Sequence, residues 1–132
     1  MSEQQPTRNV ELLERTMQHI DDHPELHDQA DWANSCGTAA CFAGWSALLA
    51  FGTSVLDGYG FELPAPFNDR LPNGNHPRMS IQAARLLGLT KAEAETLFDA
   101  NNTRDMLRLM VKDLANGDDL RELDEYENEA GA

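Results

Sequence analysis

Between Ala39 and Phe51 the chain reads AACFAGWSALLAF, with Ser46 the one polar side chain in the run. As a helix, Ala39, Ala40, Ala43, Gly44 and Ala47 line one side, and Phe42, Trp45, Leu48, Leu49 and Phe51 occupy the rest. A helix apolar around its whole circumference has no face to give to water, so it belongs inside a domain, and the small residues let a neighbouring backbone come close. The run is shorter than the ~20 apolar residues that cross a bilayer, so protein rather than lipid must cover it. Thr38 is the expected N-cap and Gly52 the expected stop.

The flanking sequence supplies covering helices. Val10, Leu13, Met17 and Ile20 repeat at spacings of three and four after a capping Asn9 or Thr7, and His23-Pro24 closes that helix. Pro24 to Ser35 reads as a turn or short helix carrying Trp32 back to the core. Ser80 is the expected cap of Ile81 to Leu87, with Gly88 at the C-terminal end. Thr90 and Glu93 form a capping box for the segment that places Leu97 and Phe98 inward. Asn102 or Thr103 starts a helix with Leu107, Met110, Val111 and Leu114 on its inner face, ending at Gly117. Residues 52–79 hold four glycines and four prolines with no sustained period. They predict a long loop, pinned by Tyr59, Phe61 and Phe67, with room for a short hairpin at Gly58 to Leu63. The expectation is a mainly α, compact bundle of about five helices around a buried central helix (39–51), with a single domain at 1–117. Residues 118–132 are then an acidic tail or a docked C-terminal helix bearing Leu120, Leu123 and Tyr126.

The 132 residues carry 23 acidic and 10 basic side chains, a net charge of −13, and the excess is confined to the ends. Residues 1–35 and 118–132 each contribute −6, while the middle is almost balanced at −1. Such a field repels phosphate backbones and anionic membranes, which excludes direct nucleic-acid and membrane binding and leaves a basic protein as the sign-compatible partner. The bland alternative is that the acid keeps the chain soluble and monomeric. The run Ala83 to Phe98 has the outline of a helix-turn-helix, but Glu93, Glu95 and Asp99 on its second helix oppose DNA, so an αα-hairpin is the better reading. Arg85, Arg104 and Arg108 are expected to pair with the surplus carboxylates. Met1 to Asn9 lacks the basic start and apolar stretch of a secretory signal, which predicts a cytoplasmic location and reduced cysteines.

Candidate chemistry collects at Cys36 to Trp45, CGTAACFAGW. Cys41 in a first helical turn after Thr38 would feel backbone amides and the helix dipole, the setting of a nucleophilic thiolate, with His19, His23, His27 and His76 as candidate bases. Cys36 and Cys41 form a C-x4-C pair and His23 and His27 an H-x3-H pair, so four zinc-type ligands fall within a short span. Pro24 interrupts a helix that would align the two histidines. A reversible Cys36–Cys41 disulfide is a third use, and simple packing of small buried thiols a fourth.

Taken together, Trp32, the CGTAACFAGW block (Cys36, Gly37, Thr38, Cys41, Gly44 and Trp45) and LGLTKAEAETLF from Leu87 to Phe98 resemble a W…CGTxxCxAGW…LGLTxxEAxxLF pattern. That pattern belongs to small uncharacterised acidic proteins of actinobacteria and their phages. The resemblance covers about two thirds of the chain and implies a cytoplasmic prokaryotic or phage origin, without a mechanism. The leading expectation is a non-enzymatic interaction module with a basic host protein or a second copy as partner, or an acidic mimic of DNA. The alternative is a thiol- or zinc-dependent site at Cys36 and Cys41.

Overall fold

The computed structural model describes residues 7–27, 41–56 and 60–131. Trp32, Cys36, Gly37, Thr38 and Tyr59 lie outside the described residues. Six α-helices are described: α1 Val10–Asp22, α2 Phe42–Phe51, α3 Met79–Leu87, α4 Lys91–Leu97, α5 Arg104–Ala115 and α6 Leu123–Gly131. Short 3-10 turns occupy Pro24–Leu26 and Gly52–Val55. The expected mainly α fold is present, and among the described residues there is no strand.

Helix α1 is cut out by its ends. Asn9 accepts the Leu12 N–H at 3.2 Å, and the chain leaves the helix at His23, the residue before proline. The inner face carries Leu12, Leu13, Thr16, Met17 and Ile20. It packs against both α2 and α5, while α2 also meets α3 and α5 also meets α6. Helix α1 therefore sits between α2 and α5, and the pair that brings the candidate site residues together is α1 with α2. Within that pair, the Thr16 and Ser46 hydroxyls meet at 3.0 Å in full burial, and Ser46 also donates to the Phe42 carbonyl at 3.0 Å. The polar residue that interrupts the apolar run is thus satisfied at the α1–α2 contact, as a buried hydroxyl must be.

Phe42 to Leu48 are all buried, as a helix apolar all round requires. The described start of α2 is Phe42 rather than Ala39. Cys41 is extended (φ −77°, ψ −177°), its carbonyl accepts the Trp45 N–H, and its sulfur accepts the Gly44 N–H at 3.5 Å. Cys41 is therefore the N-cap of α2, in place of Thr38, and is not a first-turn residue. Gly52, with φ of 77°, ends the helix as expected.

The long connection is fastened at three points. Leu56 and Phe61 form an isolated antiparallel bridge, and Phe61 and Leu63 are buried. Gln82, buried inside α3, accepts the Leu63 N–H at 2.7 Å and donates to the Pro77 carbonyl at 2.9 Å and to Glu62 at 3.2 Å. Burial alone would raise the Glu62 pKa, but hydrogen bonds from His76, Gln82 and Asn68 outweigh it and hold the carboxyl below its usual value. Arg85 donates to the carbonyls of Phe67 and Asp69 at 3.0 and 2.6 Å. It organises the loop instead of pairing with a carboxylate, a correction to the expected ion pair. Arg108 does meet carboxylates, Asp21 at 2.7 Å and Asp105 at 2.6 Å.

Helix α3 begins at Met79, with Arg78 at the cap position, because the Ile81 and Gln82 amides both reach the Arg78 carbonyl. Ser80 is thus in the first turn and does not cap. Gly88 is left-handed at φ 70°, and the Leu89 N–H returns to the Ala84 carbonyl at 2.9 Å. The Thr90–Glu93 capping box forms as expected, and Glu93 also holds Arg8. Leu87, Leu89 and Leu97 are buried, so α3 and α4 form the αα-hairpin. Thr103 caps α5 at 3.2 Å, while Asn102 donates to the Thr96 and Leu97 carbonyls and ties α4 to α5.

Candidate functional site

The sequence directs attention to the N-terminal end of α2 and the last turn of α1. The Thr16–Ser46 contact sets the register between those helices, and one turn further on His19 lies against Trp45, ring centroids 4.3 Å apart. The His23 ring, at the C-cap of α1, also meets His19 in a tilted pair, centroids 4.8 Å apart. The His19 Nε2 atom is buried without a hydrogen-bond partner. Burial lowers the His19 pKa below its ordinary 6.5, the positive charge available to His23 lowers it further, and Asp22 partly opposes both. At neutral pH, His19 is an uncharged imidazole held against an indole.

Cys41 lies at the mouth of α2 and is 3% exposed. Its sulfur accepts the N–H of Gly44, the glycine of the AGW triplet, so two residues of the pattern take part in helix capping. Among the described residues, no three of His, Cys, Asp and Glu come together as a metal site. His23 and His27 bound the Pro24–Leu26 turn, where the His27 N–H returns to the Pro24 carbonyl at 3.2 Å. Cys36, the remaining zinc candidate, is outside the described residues. His76 is placed elsewhere, on the long loop and 2.9 Å from Glu62, where it serves the loop network. This end of the molecule thus offers a buried thiol, a neutral imidazole and a buried indole.

The second candidate surface is the acid itself. On α1, Glu11, Glu14 and Asp22 are exposed, and Asp21 is engaged by Arg108. Asp124, Glu125, Glu127 and Glu129 are exposed on α6, while Tyr126 beside them is fully buried. The Tyr126 hydroxyl donates to Asp113 at 2.7 Å and accepts the Arg121 N–H at 3.0 Å, with the Arg121 guanidinium 4.5 Å above the ring. Arg121 in turn bridges Asp113 at 3.1 Å and Glu129 at 2.6 Å. The acidic C-terminal segment is therefore a docked helix. Leu120, Leu123 and Tyr126 at spacing three were the sequence signal for this; the Arg121 and Asp113 partners, on the connector and on α5, had none.

No helix among the described residues is long and apolar enough to cross a membrane. Compared with family models, curated proteins and solved structures, the chain matches none of the three. The W…CGTxxCxAGW…LGLTxxEAxxLF resemblance accordingly rests on its motif residues alone.

Proposed function

We propose that the chain is a non-enzymatic interaction module that offers its acidic terminal helices to a basic protein. The observation that carries this reading is α6: one buried tyrosine fastens it, and Asp124, Glu125 and Glu127 remain exposed on an ordered helix. Carboxylates fixed on a helix can meet a patterned basic surface without first losing chain entropy, which favours specific over diffuse attraction. On the motif resemblance we further propose a prokaryotic cytoplasm, or a phage product acting there, as its setting.

The test is retention of host proteins on immobilised full-length chain, with salt as the variable. Basic proteins should be held at low salt and released as ionic strength rises. They should be lost when Asp124, Glu125 and Glu127 are changed together to Lys, with helix content unchanged by circular dichroism. Equal retention by wild type and the reversed variant would remove the proposal. Displacement of the partner by duplex DNA would sharpen it to mimicry of nucleic acid.

A thiol or zinc site at Cys36 and Cys41 is the alternative proposal, supported by the Cys41 sulfur at the α2 N-cap. Elemental analysis for zinc and thiol titration of the native protein decide it. Absence of bound zinc together with unreactive thiols would sink it.

A further inference from the structure

The groove between α3 and α4 inverts the sign of the molecule. It encloses about 550 Å³, within the range of small-ligand sites, and its floor is Ile81, Ala84, Leu89 and Ala94. Arg78, Arg85 and Lys91 stand around it, with Glu95 the one acid. These three cations are gathered at one groove in a chain of charge −13. Yet every ion pair among the described residues uses Arg8, His76, Arg108 or Arg121. Arg85 is also held in place, since two loop carbonyls receive its hydrogen bonds and fix the guanidinium without neutralising it.

We propose that this groove binds an aliphatic monocarboxylate, its chain along the apolar floor and its head group against the cations. The site is separate from the acidic helices, and the proposal stands independently of the interaction-module reading. Three features select the ligand class. Arg78 at the N-cap of α3, then Ile81 and Arg85 on the helix, span about 10 Å at 1.5 Å per residue, so an extended chain is accommodated. Glu95 and the overall negative field penalise each added charge, which favours a monoanion over a phosphate dianion. Only nine residues line the groove, against the ~20–30 per side of a standard protein interface, which favours a small ligand over an acidic helix of a partner.

The experiment is an amide NMR titration of the full chain with sodium decanoate below its micelle concentration, beside decanol and inorganic phosphate. Decanoate should shift Ile81, Ala84, Leu89 and Ala94 and bind at least about tenfold more tightly than decanol, the worth of a charge-assisted contact. Lys91→Glu should weaken decanoate by about tenfold with helix content unchanged, because an acid at the first position of α4 suits the helix dipole. Arg85→Gln is expected to disturb the long loop as well, so Arg78→Gln is the companion variant and should weaken decanoate in the same direction. Equal binding of decanol and decanoate, insensitivity to both Lys91→Glu and Arg78→Gln, or the same amides shifted by an acidic helical peptide but not by decanoate would each overturn the assignment.

Discussion

Residues 1–35 and 118–132 each carry −6, yet α1 sinks Leu12, Leu13, Thr16, Met17 and Ile20 into the core whereas α6 sinks Tyr126. The same charge is therefore mounted in two ways. At the N-terminal end Glu11, Glu14, Asp21 and Asp22 ride on α1, which packs against both α2 and α5. At the C-terminal end Asp124, Glu125, Glu127 and Glu129 ride on α6, which is held by one fully buried ring, a small polar network and the partly buried Leu123 and Ala130. Burial of a whole apolar stripe commits α1 to the cooperative core; α6 can be released at a free-energy cost no greater than its own docking.

The largest expected effect tests that division directly. Leu13, fully buried on α1, should cost about 2–5 kcal/mol when changed to Ala, lowering the unfolding midpoint of the whole domain in urea. Tyr126→Ala should instead free α6 and leave the core transition, followed through tryptophan fluorescence in a Trp32→Phe background that keeps Trp45, within about 1 kcal/mol of the parent. If the two variants shift the core transition alike, α6 is part of the cooperative unit and the comparison fails.

A smaller effect is expected at the clamp that holds the start of the N-terminal end. The Asn9 N–H reaches the Leu87 carbonyl at 2.8 Å, and Arg8 donates to the Leu114 carbonyl at 3.1 Å while pairing with Glu93. The segment passes so close to Gly88 that a Cβ there would overlap the Thr7 carbonyl, at a residue already left-handed. Gly88→Ala should cost about 1–3 kcal/mol, more than left-handed strain alone, because Thr7 must also move. Restoration of wild-type stability on deleting residues 1–7 from the variant would mean that only the overlap mattered; an unchanged loss would leave the backbone strain.

The contrast between the ends also marks what was legible beforehand. The period of Val10, Leu13, Met17 and Ile20 announced α1, and the circumference of α2 announced its burial, because helical spacing is a local property. Capping boxes and C-terminal glycines are equally local, and Thr90–Glu93 and Gly88 were readable for that reason. What could not be read depends on partners distant in sequence. Arg85 turned to carbonyls on the loop, Gln82 became the buried anchor of that loop, and Cys41 displaced Thr38 as cap once its sulfur took the Gly44 amide. Of the sequence-derived site, His19, His23, Cys41 and Trp45 fall at one end of the α1–α2 pair; the α3–α4 groove had no sequence signal because its cations are scattered over the cap of α3, α3 itself and α4.

On the C-terminal side, Tyr126→Phe should weaken α6 docking by about 1 kcal/mol, since it removes the hydroxyl's bonds to Asp113 and from the Arg121 N–H while retaining the packed ring. Burial, and the Asp113 carboxylate beside it, raise the Tyr126 pKa above its ordinary 10.0 despite hydrogen bonds from Arg121. A raised pKa in the fold means that the docking contribution is complete below pH 10 and is lost as pH climbs through the folded value. Hydrogen exchange of the α6 amides should therefore accelerate above pH 10 in wild type more steeply than in Tyr126→Phe. Parallel pH profiles would detach the hydroxyl from docking.

The smallest effect belongs to the N-terminal side and runs the other way. The His19 pKa is lowered by burial first and by His23 second, so the folded state prefers the neutral ring. Below the unfolded value of about 6.5 the unfolded chain binds a proton that the folded chain resists. Stability linked to His19 is thus complete above pH 6.5 and falls as the pH drops from there toward the folded pKa, where the slope ends. His19→Gln should flatten urea midpoints between pH 7.5 and 5.5, above the range where carboxylates titrate. A slope that survives the substitution would show that His19 does not carry it. The outcome separates the two ends by sign: acid should loosen the contact of His19 with Trp45 in the core, while base should release α6.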